Sequence, residues 1–121
     1  MGHDDGTGTA ALTATALGYP RIGRDRRLKR ALEGYWAGTL PDTAVAQAQD
    51  AVRRDGWRAM TAAGLDSVPV GITSRYDHVL DAALLVDAVP ERFRGMPTGD
   101  GRARLDRYSA MARGTSALPP L

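Results

Sequence analysis

Residues 18–38 read GYPRIGRDRRLKRALEGYWAG, and the fold turns on how this stretch is understood. Gly18-Tyr19-Pro20 breaks the segment before it, and PRIG (20–23) reads as a turn. Asp25 then has the chemistry of a helix N-cap, its short carboxylate able to accept from the first free N–H groups. Leu28, Ala31, Leu32 and Tyr35 follow at i, i+3, i+4 and i+7, which predicts a helix to about Trp36 with one buried face. Gly38 ends it. Between residues 21 and 30 the same stretch places six basic residues against Asp25, a local charge of +5, so the other 111 residues sum to −3.

Outward from this helix, TATALGYP (13–20) predicts a short buried strand of small and apolar residues. On the other side, Leu40-Pro41-Asp42 opens a second helix, with Pro near its start and an acid in its first turn. Val45, Ala48, Val52, Ala59, Met60 and Ala63 mark its inner side. Gly56 is expected to weaken its middle by up to ~1 kcal/mol relative to Ala, and Gly64 stops it. LDSVPVG (65–71) predicts a second strand that Pro69 bends or limits. A third helix is expected from Tyr76 to about Ala88, with Val79, Leu80, Ala83 and Leu84 inward and Pro90 as its end. RGMPTGDGRARLDR (94–107) reads as charged loop, and YSAMARG (108–114) as a possible third strand. Alternating strands and helices imply an α/β architecture with parallel strands.

Composition bounds the function. The 121 residues fit one domain, 43% hydrophobic and 25% charged, with a core built mainly of Ala, Leu and Val. There is no cysteine, which removes disulfides, thiolate metal sites and a Cys nucleophile. Residues 1–12 are expected to form a disordered leader with no apolar signal-peptide region. No apolar run approaches the ~20 residues that span a bilayer. These features lead to the expectation of a cytoplasmic chain that binds neither membrane nor nucleic acid.

The chemistry concentrates at the start of the first helix. Arg24, Arg26, Arg27 and Lys29 add cations to the positive pole of that helix, an arrangement suited to an anion. Taken by itself, the charge favours a solvated basic face, because charge runs are common. Asp77, His78 and Asp81 could cluster at the start of the third helix, where capping explains them better than metal binding. The glycine patterns contain no nucleotide-binding loop, and no nucleophile motif surrounds any Ser or Thr. Trp36 and Trp57 read as core or interface residues.

Four collinear stretches resemble the opening of cobalamin-independent methionine synthases: GYPRIGRDRRLKRALEGYWAG (18–38), GWRAMTAAGLDSVPVG (56–71), YDHVLDAALLVDAVPERF (76–93) and YSAMARGTSALPPL (108–121). The resemblance implies that residues 13–121 are a truncated N-terminal domain, a partial (βα)8 TIM-like barrel of the first two or three βα units. It implies a part in methionine biosynthesis, in which a methyl group passes from 5-methyltetrahydropteroyl-polyglutamate to homocysteine. The family's stretch for the folate polyglutamate tail corresponds to Arg26, Arg27, Leu28 and Lys29. A polyglutamate is a string of carboxylates, so charge and resemblance together favour the anion site. Arg27 stands where the family usually has Glu, and Ile72-Thr73 where Asp-Phe is common. The family's catalytic zinc, held by His, Glu and two Cys on a C-terminal barrel, is expected outside these residues, as is a further basic-aromatic folate contact. No cofactor is expected in this chain, and no catalytic residue.

Three functions follow: the non-catalytic, folate-binding piece of a methionine synthase whose C-terminal barrel is a missing partner; a stand-alone polyanion- or folate-binding module or decayed gene product; and a basic interaction protein. The last is weakest, since no aromatic interleaving accompanies the charge.

Overall fold

The computed structural model describes residues 11–121. Most of the expected leader therefore lies outside the described residues, as does His3, while Ala11 and Leu12 are irregular and exposed. Five α-helices are described: α1 (Arg27–Trp36), α2 (Asp42–Ala62), α3 (His78–Leu85), α4 (Glu91–Arg94) and α5 (Gly101–Arg113). A 3-10 turn, Arg24–Arg26, leads into α1.

The α/β expectation is corrected. Among the described residues there is no sheet and no part of a (βα)8 barrel, only an isolated parallel bridge between Thr15 and Ser67. The two segments expected as strands do meet there: Asp66 N–H donates to the Ala14 carbonyl at 3.0 Å and the Thr15 hydroxyl to the Ser67 carbonyl at 3.2 Å. The pairing goes no further because a parallel sheet is stable when helices cover both faces. Here Leu12 and Leu17 are fully exposed and Val70 is 84% exposed, with no layer over them. The possible third strand, 108–114, lies within or just beyond α5. The Asp100 carboxylate caps that helix through Ala103 N–H at 2.7 Å, and Leu105, Tyr108 and Met111 are buried at successive i, i+3 positions.

The helical readings fared better. Leu28, Ala31 and Leu32 of α1 pack with Val45, Ala48 and Val52 of α2 and Leu105 of α5 in one core cluster, with Tyr35 and Trp36 against it. A second cluster joins Leu80, Val89, Phe93, Tyr108, Ala110 and Met111. Thus α5 serves both cores. The third helix is shorter than expected, and Val79 is 76% exposed where an inward position was predicted. Pro90 ends no long helix; it precedes α4, whose Phe93 is fully buried.

Gly56 has a positive reason to be glycine. A Cβ there would lie 2.8 Å from Ile72 Cδ1 and 3.1 Å from Tyr19 Cδ1. The loss of helix propensity is accepted so that the segments around Tyr19 and Ile72 can close on α2.

Candidate functional site

The expected N-cap is also corrected. Asp25 does not cap α1; it lies inside the 3-10 turn with φ 55°, and Arg26 (φ 56°) occupies the N-cap position without a side-chain cap. Two consecutive non-glycine residues in the left-handed region are costly, about 1–3 kcal/mol each. The turn is held by its surroundings: Gly23, at φ 77° and ψ 170°, lets the backbone pass against Val52 of α2. Leu28 N–H donates to the Ile22 carbonyl at 3.0 Å, Arg26 N–H to Gly23 at 3.3 Å, and Arg27 N–H to Arg24. These bonds use N–H groups that a helix start would offer an anion. What the turn presents to solvent is therefore its side chains.

Those side chains do not converge on one point. Leu28 is fully buried in the first core cluster and presents nothing to a ligand. Arg27 reaches across to α2, its guanidinium 3.4 Å from an Asp55 carboxylate oxygen. Lys29 turns the other way, with Nζ 3.5 Å from Glu33 Oε1. Arg24, Arg26 and Arg30 are exposed, and no ion pair among the described residues involves them. Both Arg27 and Lys29 pairs are half-exposed, and such pairs are worth about 0–1 kcal/mol. Neither internal partner holds its cation strongly.

Lys29 also lines a pocket of about 290 Å³ together with Arg21, Ile22, Leu32, Trp36 and Tyr76. Arg21 is set by two contacts: it donates to the Arg75 carbonyl at 3.2 Å and lies 5.8 Å from the Tyr76 ring centroid. Tyr76 in turn meets Trp36 edge to face, centroids 6.0 Å apart and planes at 70°. The sequence reading counted Arg21 among the local charges but gave it no role, and Tyr76 is 55 positions away with no local signal of proximity.

A larger cleft of about 980 Å³ opens at the far end of α1, lined in part by Tyr35, Trp36, Asp42, Arg102, Asp106 and Arg113. Its charges are balanced. Tyr35 donates to Asp106 at 2.5 Å, Arg102 lies 3.9 Å from the same carboxylate, and Arg113 stacks 4.1 Å from the Trp36 ring centre. Burial, and then the Asp106 hydrogen bond, push the Tyr35 hydroxyl up to about 12. With two cations against two carboxylates, this cleft lacks the net charge of an anion site.

Around α3, the three polar residues expected to cluster take separate places. The Asp77 carboxylate accepts from Val79 N–H at 2.8 Å and Leu80 N–H at 3.0 Å, capping the helix. Asp81 accepts from the Tyr108 hydroxyl at 2.8 Å, while His78 is exposed. Trp36 Nε1 donates to Ser109 Oγ and Trp57 Nε1 to the Pro69 carbonyl, each at 3.0 Å, so both tryptophans join elements. A zinc site of His, Glu and two Cys does not fit these residues. The chain has no cysteine, and among the described residues no group of three or more His, Asp or Glu is placed to hold a metal ion. Nor is any described helix long and apolar enough to cross a membrane.

Residues 13–121 match the family described as cobalamin-independent synthase, N-terminal domain. Relatives named 5-methyltetrahydropteroyltriglutamate–homocysteine methyltransferase are similar over most of the chain. That of Mycolicibacterium paratuberculosis is 50% identical over 92% of it, that of Streptomyces avermitilis 48% over 93%, and that of Mycobacterium tuberculosis H37Rv 52% over 90%. The chain spans 14% of the length of each of these relatives. With a family match over all but its first residues and such identity throughout, the chain belongs to the cobalamin-independent synthase N-terminal domain family.

Proposed function

We propose that this chain is the folate-polyglutamate-binding, N-terminal part of a cobalamin-independent methionine synthase, and that it does not transfer the methyl group itself. The observation that carries the reading is the exposed basic stretch at the start of α1, where Arg24, Arg26, Arg27, Lys29 and Arg30 face solvent wholly or in part, and only Arg27 and Lys29 meet half-exposed acids, Asp55 and Glu33. The relatives' name specifies a triglutamate substrate, whose tail is a short polyanion. The charges here are spread along a turn, in keeping with an extended chain of carboxylates. Arg26, Arg27 and Lys29 contribute side chains, and Leu28 contributes by anchoring the turn to the core. In the cell this is a cytoplasmic role. Methyl transfer needs a metal site that these residues do not form.

Calorimetric titration of the 121-residue chain with the mono- and triglutamate forms of 5-methyltetrahydrofolate tests the proposal. The triglutamate form is expected to bind more tightly, and its advantage to shrink as salt rises from 0.05 to about 0.5 M, since exposed charges are screened beyond a Debye length of roughly 10 Å at 0.1 M. Equal affinity for both forms would sink the reading.

A further inference from the structure

Where α2, α3, α5 and the segment before α3 meet, a pocket of about 380 Å³ opens that shares no residue with the basic turn. Its size lies at the small end of ligand pockets, which run to roughly 300–1,000 Å³. The wall holds one cation and one anion, Arg75 and Asp81, and neither forms an ion pair with the other or with any described residue. Each is held instead by a neutral neighbour in the same wall. Arg75 Nε donates to Gln49 Oε1 at 2.8 Å, and the Tyr108 hydroxyl donates to Asp81 Oδ1 at 2.8 Å. The rest of the lining is aliphatic: Leu84, partly buried against the second core cluster, and Leu85, which is 86% exposed. Opposite charges that share a pocket without meeting leave room between them. An exposed leucine beside that room is stabilised by whatever covers it.

We propose that this pocket binds a free α-amino acid with an aliphatic side chain, its carboxylate on the Arg75 guanidinium, its ammonium on Asp81 and its side chain against Leu84 and Leu85. The site is separate from the polyglutamate reading and does not depend on it. Among the described residues Gln49 engages only Nε of Arg75, so the two terminal nitrogens remain to take a carboxylate side by side. Tyr108 engages Oδ1 of Asp81, which leaves Oδ2 for an ammonium. Both charged groups are oriented before a ligand arrives, so little side-chain freedom is lost on binding. The balance of charge sets the selectivity. A simple anion is repelled by Asp81 and a simple amine by Arg75, whereas a zwitterion satisfies both. The leucines then favour an aliphatic side chain over a polar one.

The probe is L-leucine, titrated calorimetrically into the full 121-residue chain, with an expected Kd of about 0.1–1 mM. Glycine lacks the side chain, 4-methylpentanoate the ammonium and L-leucine amide the carboxylate; each should bind at least about tenfold more weakly. Arg75→Gln is expected to lower L-leucine affinity about tenfold, the scale of a lost charge-assisted hydrogen bond, and Arg75→Lys to recover part of it. Leu85→Ala should lower it about threefold to fivefold through lost apolar cover. Arg54→Gln, an exposed position of α2 outside the pocket, should lower it no more than about twofold. Arg75 and Leu85 lie outside both core clusters, and circular dichroism of each variant verifies that the helices are intact. No L-leucine binding up to about 10 mM overturns the proposal. So does equal loss in Arg75→Gln and Arg54→Gln, or 4-methylpentanoate binding as tightly as L-leucine, which reduces the pocket to a carboxylate site. Leu85→Ala should leave affinity for the triglutamate folate unchanged, so either reading can fail without the other.

Discussion

Replacing Tyr108 with Phe removes one oxygen from the point where α5 grips the start of α3. The ring stays in the second core cluster, so packing is retained. The lost hydroxyl donates to Asp81 Oδ1 at 2.8 Å and accepts from the backbone N–H groups of Tyr76 at 3.0 Å and Asp77 at 3.3 Å. A bond to a carboxylate is worth about 1.5–3 kcal/mol and each neutral one about 0.5–1.5 kcal/mol. Asp81 is half-buried and Tyr76 and Asp77 are exposed, so water recovers part of what is lost. The net cost should fall near 2–3 kcal/mol, at the low end of that sum. With a urea dependence of about 2 kcal/mol per M, the unfolding midpoint should drop by roughly 1–1.5 M. Asp81→Asn keeps an acceptor and removes the charge, so about half the effect is expected. Burial, and then the bond to Asp81, raise the Tyr108 pKa; the Asn variant should therefore let its phenol ionise at lower pH, visible in the ultraviolet absorbance of tyrosinate. A Tyr108→Phe midpoint within about 0.2 M of wild type would refute the reasoning, since it would mean that water replaces all three bonds without loss.

Gly23→Ala should destabilise by about 3 kcal/mol or more, combining a backbone region essentially reserved for glycine with a Cβ 2.4 Å from Val52 Cγ2; urea unfolding measures the loss, and triglutamate affinity should fall as the basic turn shifts. Gly56→Ala gains up to ~1 kcal/mol of helix propensity but overpacks against Ile72 and Tyr19 at a cost of about 1–3 kcal/mol. A net loss near 1 kcal/mol is expected, and a more stable variant would show that Ile72 yields freely. Alkaline stability should fall as pH rises from about 10 to about 12. Tyr35 (about 12) and Tyr108 stay protonated in the native state while the unfolded chain releases those protons. Urea midpoints across that range, compared with Tyr35→Phe, should show a shallower decline in the variant.

The first two helices were legible because each carries its instruction locally. Leu28, Ala31 and Leu32 share one face by spacing alone, and Val45, Ala48 and Val52 do the same in α2, so their mutual burial follows from period and hydrophobicity. Asp77 as a cap and the family membership were likewise readable from contiguous residues. The strands were not. TATALGYP and LDSVPVG have strand-like residues, but a strand is completed by neighbours and covering layers far away in the chain; among the described residues these segments share one bridge. The 108–114 stretch went the other way, because the Asp100 cap lies outside it and burial against Leu80 and Phe93 settles its helical period.

The sequence by itself determined the charge of the turn before α1 and the chemistry that such a turn attracts. Only the tertiary structure decided where each cation goes. Leu28 is drawn into the core, Arg27 is turned toward Asp55 and Lys29 toward Glu33, because a helix surface advances 100° per residue and neighbours in sequence face different partners. The pocket that results joins residues 21, 29 and 76. No local pattern connects them, since their proximity depends on how the segment after α2 packs back upon α1.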